Sequence, residues 1–164
     1  MDRAELDRTP YSEPLTRAAW LRALAILGAA SLTGATQRDQ TADERAYVMW
    51  QNGTEPPYSS PLNGETRAGL YHCANCELAL FSSTTKYDAH EGWPSFYAPL
   101  PNAITTGRDY DIGYARTEVH CRRCKGHLGH VFDDGPPPTG LRYCIDGVAL
   151  HFVPGATTPP DSHG

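Results

Sequence analysis

Two short motifs, CANC (Cys73–Cys76) and CRRC (Cys121–Cys124), place four cysteines in matching C-x-x-C pairs. Each pair can direct two sulfurs at one metal ion from a tight turn, and together they supply the four soft ligands of a closed tetrahedral zinc site. The gap between the pairs exceeds that of an ordinary zinc ribbon, so we expect the metal to pin together two distant turns of one sheet. Such a site is a structural cross-link rather than a reaction centre.

Two other interpretations of the paired cysteines are a thioredoxin-like redox pair and a disulfide framework. A redox pair needs no second copy and expects a βαβ setting, which this sequence does not indicate. Disulfides would leave a fifth cysteine, Cys144, unpaired in an oxidising compartment. His72, His120 and His127 lie close enough in sequence to replace a ligand, although four cysteines already complete the shell.

The residues around the two pairs are punctuated by Gly, Pro, Asn and Asp. From Gly53 to Pro154, short apolar runs such as GLYHC and GVALHFV alternate with these turn residues, which predicts short antiparallel strands rather than βαβ units. Before them, TADERAYVMW (Thr41–Trp50) predicts a helix that opens with a capping box. We therefore expect a folded domain over residues 41–154, followed by a polar tail over residues 155–164.

Residues 1–40 are expected to form an N-terminal extension. Its apolar run, Ala18–Ala35, is interpreted as a helix to about Ala30, and the alternative is a degenerate secretory signal. Arg22 interrupts the run and acidic residues precede it, which favours the helix. No stretch approaches the roughly 20 apolar residues that span a bilayer, so we expect a soluble, cytoplasmic protein without a membrane partner, or an exported one if the run is a signal.

The remaining cysteine lies in GLRYCID (Gly140–Asp146). On a strand, Arg142, Cys144 and Asp146 share one face, while the apolar residues between them share the other. The thiol then points away from the apolar side and lies between two charges, and an arginine beside a thiol stabilises the thiolate. The alternative is that Cys144 is simply a small buried apolar residue, as free cysteine often is.

Five longer motifs follow one another in order: GTEPPYSSPL, CANCELALF, GWPSFYAPL, RTEVHCRRCKGHLGHVFDDGP and GLRYCIDGVALHF. Together they resemble the methionine-R-sulfoxide reductases, the B class of methionine sulfoxide reductases. The resemblance implies a mainly β fold of two antiparallel sheets held together by a structural zinc, with short N-terminal helices. It also implies that Cys144 is the nucleophile of a peptide-methionine (R)-S-oxide reductase, an oxidoreductase that repairs oxidised proteins and peptides under oxidative stress.

Attack on a sulfoxide requires a general acid for the departing oxygen and an apolar wall for the methyl group. The motif GHLGH offers His127 and His130, which in the resembling family contact the oxygen or its water. One of them is alternatively a structural partner of the zinc turn. Trp93 of GWPSF, with Phe96 behind it, is expected to supply the wall.

Many relatives carry a second cysteine just before GWPSF, and Glu91 occupies that place here. Because the other four sulfurs are assigned to the metal, we expect a one-cysteine enzyme. An external thiol, from thioredoxin, glutaredoxin or glutathione, then reduces the sulfenic acid of Cys144. The protein is expected to be a monomer.

Relatives have asparagine two residues after the nucleophile, where this chain has Asp146. An ionised aspartate only accepts hydrogen bonds, and its charge should raise the pKa of Cys144 and slow the reaction. Arg142 offsets this only if it reaches Cys144 instead of pairing with Asp146. The alternative is that Asp146 is held protonated and acts as the donor and acid.

Two other functions stay open at this point. One is a zinc-containing module of the same fold that binds a protein or an oxidised peptide without turnover. The other is a nucleic-acid zinc ribbon, suggested by CRRCK, but the net charge of -5 argues against a nucleic-acid partner.

Overall fold

The computed structural model describes residues 41–110 and 113–159. The extension over residues 1–40, with its apolar run, and the end of the tail lie outside the described residues. Residues 41–51 are helical (α1), which confirms the predicted helix, and α1 buries Val48 and Met49 against the core. Among the described residues, no helix is long and apolar enough to cross a membrane.

Short strands make up most of the rest of the described chain. Their bounds are β1 (Gly69–Cys73), β2 (Ala79–Ser82), β3 (Lys86–Tyr87), β4 (Ser95–Phe96), β5 (Ile104–Asp109), β6 (Arg116–Cys121), β7 (His127–Phe132), β8 (Arg142–Ile145) and β9 (Leu150–Pro154). Short 3₁₀ helices cover Pro61–Gly64, Ser83–Thr85 and Gly147–Ala149.

The strands form two sheets in which neighbours are antiparallel. One sheet has the order β2-β1-β9, and the other has the order β3-β4-β8-β7-β6-β5. The mainly β fold of two antiparallel sheets is therefore confirmed.

Aromatic side chains join the two sheets in the core. Phe81 of β2 stacks on Phe96 of β4 with ring centroids 4.5 Å apart, and Tyr71 of β1 meets Phe96 edge-on at 4.9 Å. Such pairs contribute about 0.5–1.5 kcal/mol each beyond the area they bury. Phe96 therefore belongs to the core, because its side chain points to the opposite face from its neighbour in β4, Ser95.

The two C-x-x-C turns belong to different sheets. The CANC turn follows β1 of the three-stranded sheet, whereas the CRRC turn joins β6 to β7 of the six-stranded sheet. The expectation that both turns lie in one sheet is wrong, because spacing along the chain does not indicate which strands pair. The four cysteines instead connect the two sheets to each other.

Candidate active site and metal centre

The four paired cysteines converge on one point. The Sγ atoms of Cys73 and Cys124 are 3.6 Å apart, those of Cys76 and Cys121 are 3.5 Å apart, and all four lie within 4.8 Å of one another. A disulfide would require about 2.05 Å, whereas sulfurs bound to one zinc at about 2.3 Å lie about 3.8 Å apart in a tetrahedron. The four cysteines are therefore placed to hold one metal ion.

Backbone N–H groups in both turns face these sulfurs. Cys73 accepts from the N–H groups of Asn75 and Cys76, and Cys121 accepts in the same way from the CRRC turn. Burial raises the pKa of both thiols, while the N–H donors act against it because they favour the thiolate. Both turns thus offer the hydrogen bonds that an anionic, metal-binding sulfur needs.

The fifth cysteine lies in the middle of the six-stranded sheet. In the strand register, Cys144 of β8 is opposite Ser95 of β4 on one side and opposite His130 of β7 on the other. Directly opposed residues point to the same face with Cβ atoms about 4.5–5.5 Å apart. Tyr143 and Ile145 are buried on the core side, so the alternation expected for this strand is observed.

A small cleft of about 110 Å³ opens on the Cys144 face. It is lined by Thr54, Trp93, Arg116, Gly129, His130, Phe132, Cys144 and Asp146. The cleft therefore brings together four of the six predicted catalytic residues, Trp93, His130, Cys144 and Asp146. The other two, His127 and Arg142, are not in its lining.

Gly129 gives the cleft its close backbone packing. Its φ of 144° is a conformation that side chains rarely adopt, and a Cβ at this position would lie 2.2 Å from the carbonyl oxygen of Cys144. Any side chain here would displace the strand that carries the thiol, so a glycine is required.

Trp93 forms one wall of the cleft and is half-buried. Its Nε1–H donates to the carbonyl oxygen of Glu55 at 3.1 Å, which fixes the ring and leaves its apolar surface toward the cleft. Phe132 adds a second aromatic wall. A group of the size and polarity of a methyl sulfoxide suits a small cleft with two aromatic walls and polar residues around the thiol.

His130 is held by a hydrogen bond to Asp109, which also forms an ion pair with Arg116. Its Nε2 lies 2.8 Å from Oδ2 of Asp109, and the same oxygen accepts from Nη2 of Arg116 at 2.5 Å. Burial lowers the pKa of His130, although the hydrogen bond to Asp109 opposes this. A neutral imidazole whose Nε2–H donates to the carboxylate fits these contacts.

His127 lies behind the cleft rather than in it. The ring is fully buried, and Nδ1 is 2.5 Å from Oε1 of Glu118. The other nitrogen, Nε2, is buried, has no hydrogen-bond partner among residues 41–110 and 113–159, and lies 3.9 Å from Oδ2 of Asp146. Burial lowers the pKa of His127. Its link to the cleft therefore runs through Asp146.

Asp146 is buried at the base of the cleft, with 3% of its surface exposed. Its Oδ1 accepts from the backbone N–H of Glu55 at 2.8 Å, and the Glu55 carboxylate accepts from the N–H groups of Gly147 and Val148 at 2.7 and 2.8 Å. Burial raises the pKa of Asp146 to about 7, although the N–H of Glu55 opposes this. The Glu55 segment thus fixes both Asp146 and the loop after it.

Arg142 does not pair with Asp146. Its Nε and Nη2 donate to Asp134 at 2.8 and 2.9 Å, and its guanidinium lies 4.4 Å from the ring centroid of Phe132. The pKa of Cys144 is raised to about 11, chiefly by burial, while Arg142 lowers it and Asp146 raises it further. The arginine favours the thiolate, as its position in the sequence suggests, but burial has the larger effect.

Sequence reasoning missed seven residues that line or support this site: Thr54, Glu55, Asp109, Arg116, Glu118, Gly129 and Phe132. Phe132 follows His130 by two residues in β7, so strand alternation was a usable signal for it. The three acidic residues have no such signal, because strands and loops distant in sequence bring them to the histidines and to Asp146.

Comparisons with known proteins agree with this geometry. The sequence matches the SelR domain family over residues 41–154. The peptide methionine sulfoxide reductase MsrB of Agrobacterium fabrum is 51% identical over 118 residues, covering 71% of this chain and 87% of that protein. MsrB of Pseudomonas putida (strain W619) is 55% identical over 112 residues, covering 68% and 84%.

A third relative, MsrB of Pseudomonas syringae pv. syringae, is 57% identical over 117 residues, covering 70% of this chain and 89% of that protein. The crystal structure of the Mis18 'Yippee-like' domain aligns with a TM-score of 0.41 at 17% identity, over 53% of this chain and 96% of that chain. Because the SelR match covers most of the chain and the MsrB relatives share more than half of their aligned residues with it, this chain belongs to the SelR domain family.

Proposed function

We propose that this chain is a peptide-methionine (R)-S-oxide reductase that reduces methionine-R-sulfoxide in oxidised proteins and peptides. The observation that carries the proposal is one cleft, in a chain of the SelR family, that is lined by Cys144, Trp93 and the cross-strand neighbour of Cys144, His130. A lone thiol, a histidine and an aromatic wall are the groups that oxygen transfer from a methyl sulfoxide requires.

In the proposed reaction, Cys144 attacks the sulfoxide sulfur as a thiolate. His130, oriented by Asp109, contacts the transferred oxygen or its water, and Trp93 holds the methyl group. Arg142 favours the thiolate through its positive charge. His127 supports the cleft from behind. One thiol and one sulfoxide give one sulfenic acid on Cys144 and one thioether.

Zinc is the metal that we propose for the four-cysteine cluster. Four thiolates in a tetrahedron are a typical closed zinc site, with no open position for substrate. Its role would be to connect the two sheets, and the reaction takes no step at the metal.

Regeneration of Cys144 is assigned to an external thiol such as thioredoxin, glutaredoxin or glutathione. All five cysteines are free of disulfides, and four of them lie within metal-binding distance of one another. A monomer in the cytoplasm, where such reductants are abundant, fits this chemistry.

The test is a turnover assay with separated R and S epimers of a blocked methionine sulfoxide and dithiothreitol as reductant. Only the R epimer should be reduced, and preferential turnover of the S epimer would overturn the proposal. A protein with a full complement of zinc that reduces neither epimer would instead be a binding module.

The one-cysteine mechanism has its own test. After one turnover without reductant, dimedone should label Cys144 as a sulfenic acid, detected by mass spectrometry. An intramolecular disulfide to one of the cluster cysteines would contradict it.

A further inference from the structure

At the base of the cleft, the buried side chains of Asp146 and His127 face each other without a hydrogen bond. His127 Nε2 has no partner in the described chain and lies 3.9 Å from Oδ2 of Asp146. Both residues are almost entirely buried, at 0% and 3% exposure. An unpaired polar atom in such a place carries a large desolvation cost, so the protonation of this pair needs an explanation.

The contacts on the far side of each residue limit the possibilities. Nδ1 of His127 lies 2.5 Å from Oε1 of Glu118, and Nε2 of His120 lies 3.2 Å from the same oxygen. A carboxylate oxygen accepts hydrogen bonds, so Glu118 favours the tautomer of His127 that carries its proton on Nδ1. In a neutral imidazole, Nε2 is then an acceptor. If Asp146 were ionised, two acceptors would face each other across 3.9 Å with no proton between them. One proton, on Oδ2 or on Nε2, removes this conflict.

The charges around Asp146 favour the protonated pair. Glu55 lies against it and Glu44 of α1 adds to the negative field. Cys144 of β8 and His130 of β7 share the cleft with Asp146. The guanidinium in the cleft lining, that of Arg116, is bonded to Asp109. Burial raises the pKa of Asp146 to about 7, the range in which a general acid works best near neutral pH.

We propose that Asp146 and His127 share one proton and that this pair delivers it to the sulfoxide oxygen while Cys144 attacks. The proposal rests on the reductase activity proposed above. It makes Asp146 a catalytic acid and His127 its positioning partner, and it selects the alternative in which the aspartate acts as a donor. The separation of 3.9 Å is longer than a hydrogen bond, so the shared proton is not locked between the two side chains.

Cys144 releases its proton to solvent and attacks the sulfoxide sulfur as a thiolate. The bond formed between the two sulfurs breaks again as the sulfur–oxygen bond of the substrate breaks and an S–O bond forms on Cys144. Two electrons pass from the Cys144 sulfur to the methionine sulfur. The shared proton goes to the transferred oxygen, which gives the sulfenic acid, and Asp146 and His127 regain a proton from solvent.

Infrared difference spectroscopy between pH 5 and pH 9 tests the shared proton directly. Wild-type protein should show a protonated-carboxyl band that titrates near pH 7 and is absent in Asp146→Asn. Asp43→Asn, an exposed change on α1, is the matched control and should leave the band intact. The proposal would be overturned by a spectrum in which the Asp146 carboxyl ionises near pH 4. It would also be overturned if no protonated-carboxyl band near pH 7 were lost in Asp146→Asn.

Single-turnover kinetics test the catalytic use of that proton. The rate of sulfenic acid formation at pH 6.5 should fall about tenfold or more in Asp146→Asn, because a positioned general acid contributes about 10²-fold or more, and it should not fall in Asp43→Asn. The variant should also lose the rate change centred near pH 7. An equal or faster rate in Asp146→Asn would overturn the proposal. If the wild type reduces neither epimer, the proposed function fails, and the infrared titration still decides whether the proton is shared.

Discussion

The four-cysteine cluster and the Cys144 cleft use the same functional group in opposite surroundings. In the cluster, backbone N–H groups face the sulfurs of Cys73 and Cys121, and other sulfurs lie 3.5–3.6 Å away. In the cleft, Cys144 is a single thiol, and the charged groups that act on its pKa are Arg142, Asp146 and Glu91. Under the proposed function, neighbours decide the role of a thiol: four sulfurs with N–H donors are placed to hold a metal ion, whereas the isolated Cys144 would be left to react.

The two regions are also mechanically connected. β7 begins at His127, directly after the CRRC turn, and it carries His130, Gly129 and Phe132 into the cleft. The turn itself is closed by a hydrogen bond of 2.9 Å from the N–H of Cys121 to Gly126. Disturbing the cluster should therefore disturb the cleft, while changes in the cleft should leave the cluster intact.

The largest effect is expected from Cys121→Ser. Because binding of structural zinc is itself folding free energy, about 10 kcal/mol or more in small peptides, zinc content and melting temperature should fall together, and activity should be lost through unfolding. The same result is expected for each of the other cluster cysteines. The measurements are zinc content after dialysis, calorimetric melting and turnover.

Cys144→Ser is the matched control for that change. It should abolish sulfoxide reduction and leave zinc content and melting temperature unchanged, because Cys144 is not a member of the four-cysteine cluster. If Cys121→Ser kept its stability and lost only turnover, the cluster would be catalytic and the contrast between the two regions would be wrong.

A smaller effect, dependent on pH, is expected for the stability of Asp146→Asn. The folded pKa of about 7 lies above the ordinary value of 3.8, so between these pH values the unfolded chain loses a proton that the folded protein keeps. The contribution of Asp146 to the free energy of unfolding of the wild type therefore falls as pH rises from about 4 to about 7. The variant lacks this loss and should gain about 1–4 kcal/mol relative to wild type by pH 7.5.

Urea denaturation of both proteins at a series of pH values measures this difference. Asp43→Asn, whose side chain is exposed, should follow the wild type throughout. A stability difference between Asp146→Asn and wild type that does not change with pH would mean that Asp146 ionises in the folded protein as it does in the unfolded chain.

Most of the strands were predictable because their signals are local. Turn residues around GLYHC mark the ends of β1 closely, and spacing within the C-x-x-C pairs predicts a shared metal. The assignment of the two turns to different sheets was not predictable. The strands that end at Cys73 and at Cys121 find their partners through contacts between residues far apart in sequence. Local rules carry no information about such contacts.

The candidate site divides in the same way. Alternation within β8 correctly turned Cys144 away from the core, and the resemblance supplied Trp93 and His130. The acidic residues around the site have no local signal, because Asp109 is 21 residues from His130 and Glu55, whose backbone N–H binds Asp146, is 91 residues from it. Only the hydrogen bonds of the folded chain reveal the roles of these acidic residues.

The smallest effect concerns the arginine beside the nucleophile. Arg142 lowers the pKa of Cys144, but its guanidinium also binds the Asp134 carboxylate, which partly cancels its field. Arg142→Met should therefore raise the thiol pKa, and Asp134→Asn should lower it by a smaller amount, because the Asp134 side chain is 60% exposed and screened by solvent. The rate of alkylation by iodoacetamide as a function of pH measures both. Shifts of the same sign in the two variants would show that Arg142 acts on Cys144 by packing on Phe132 rather than by its charge.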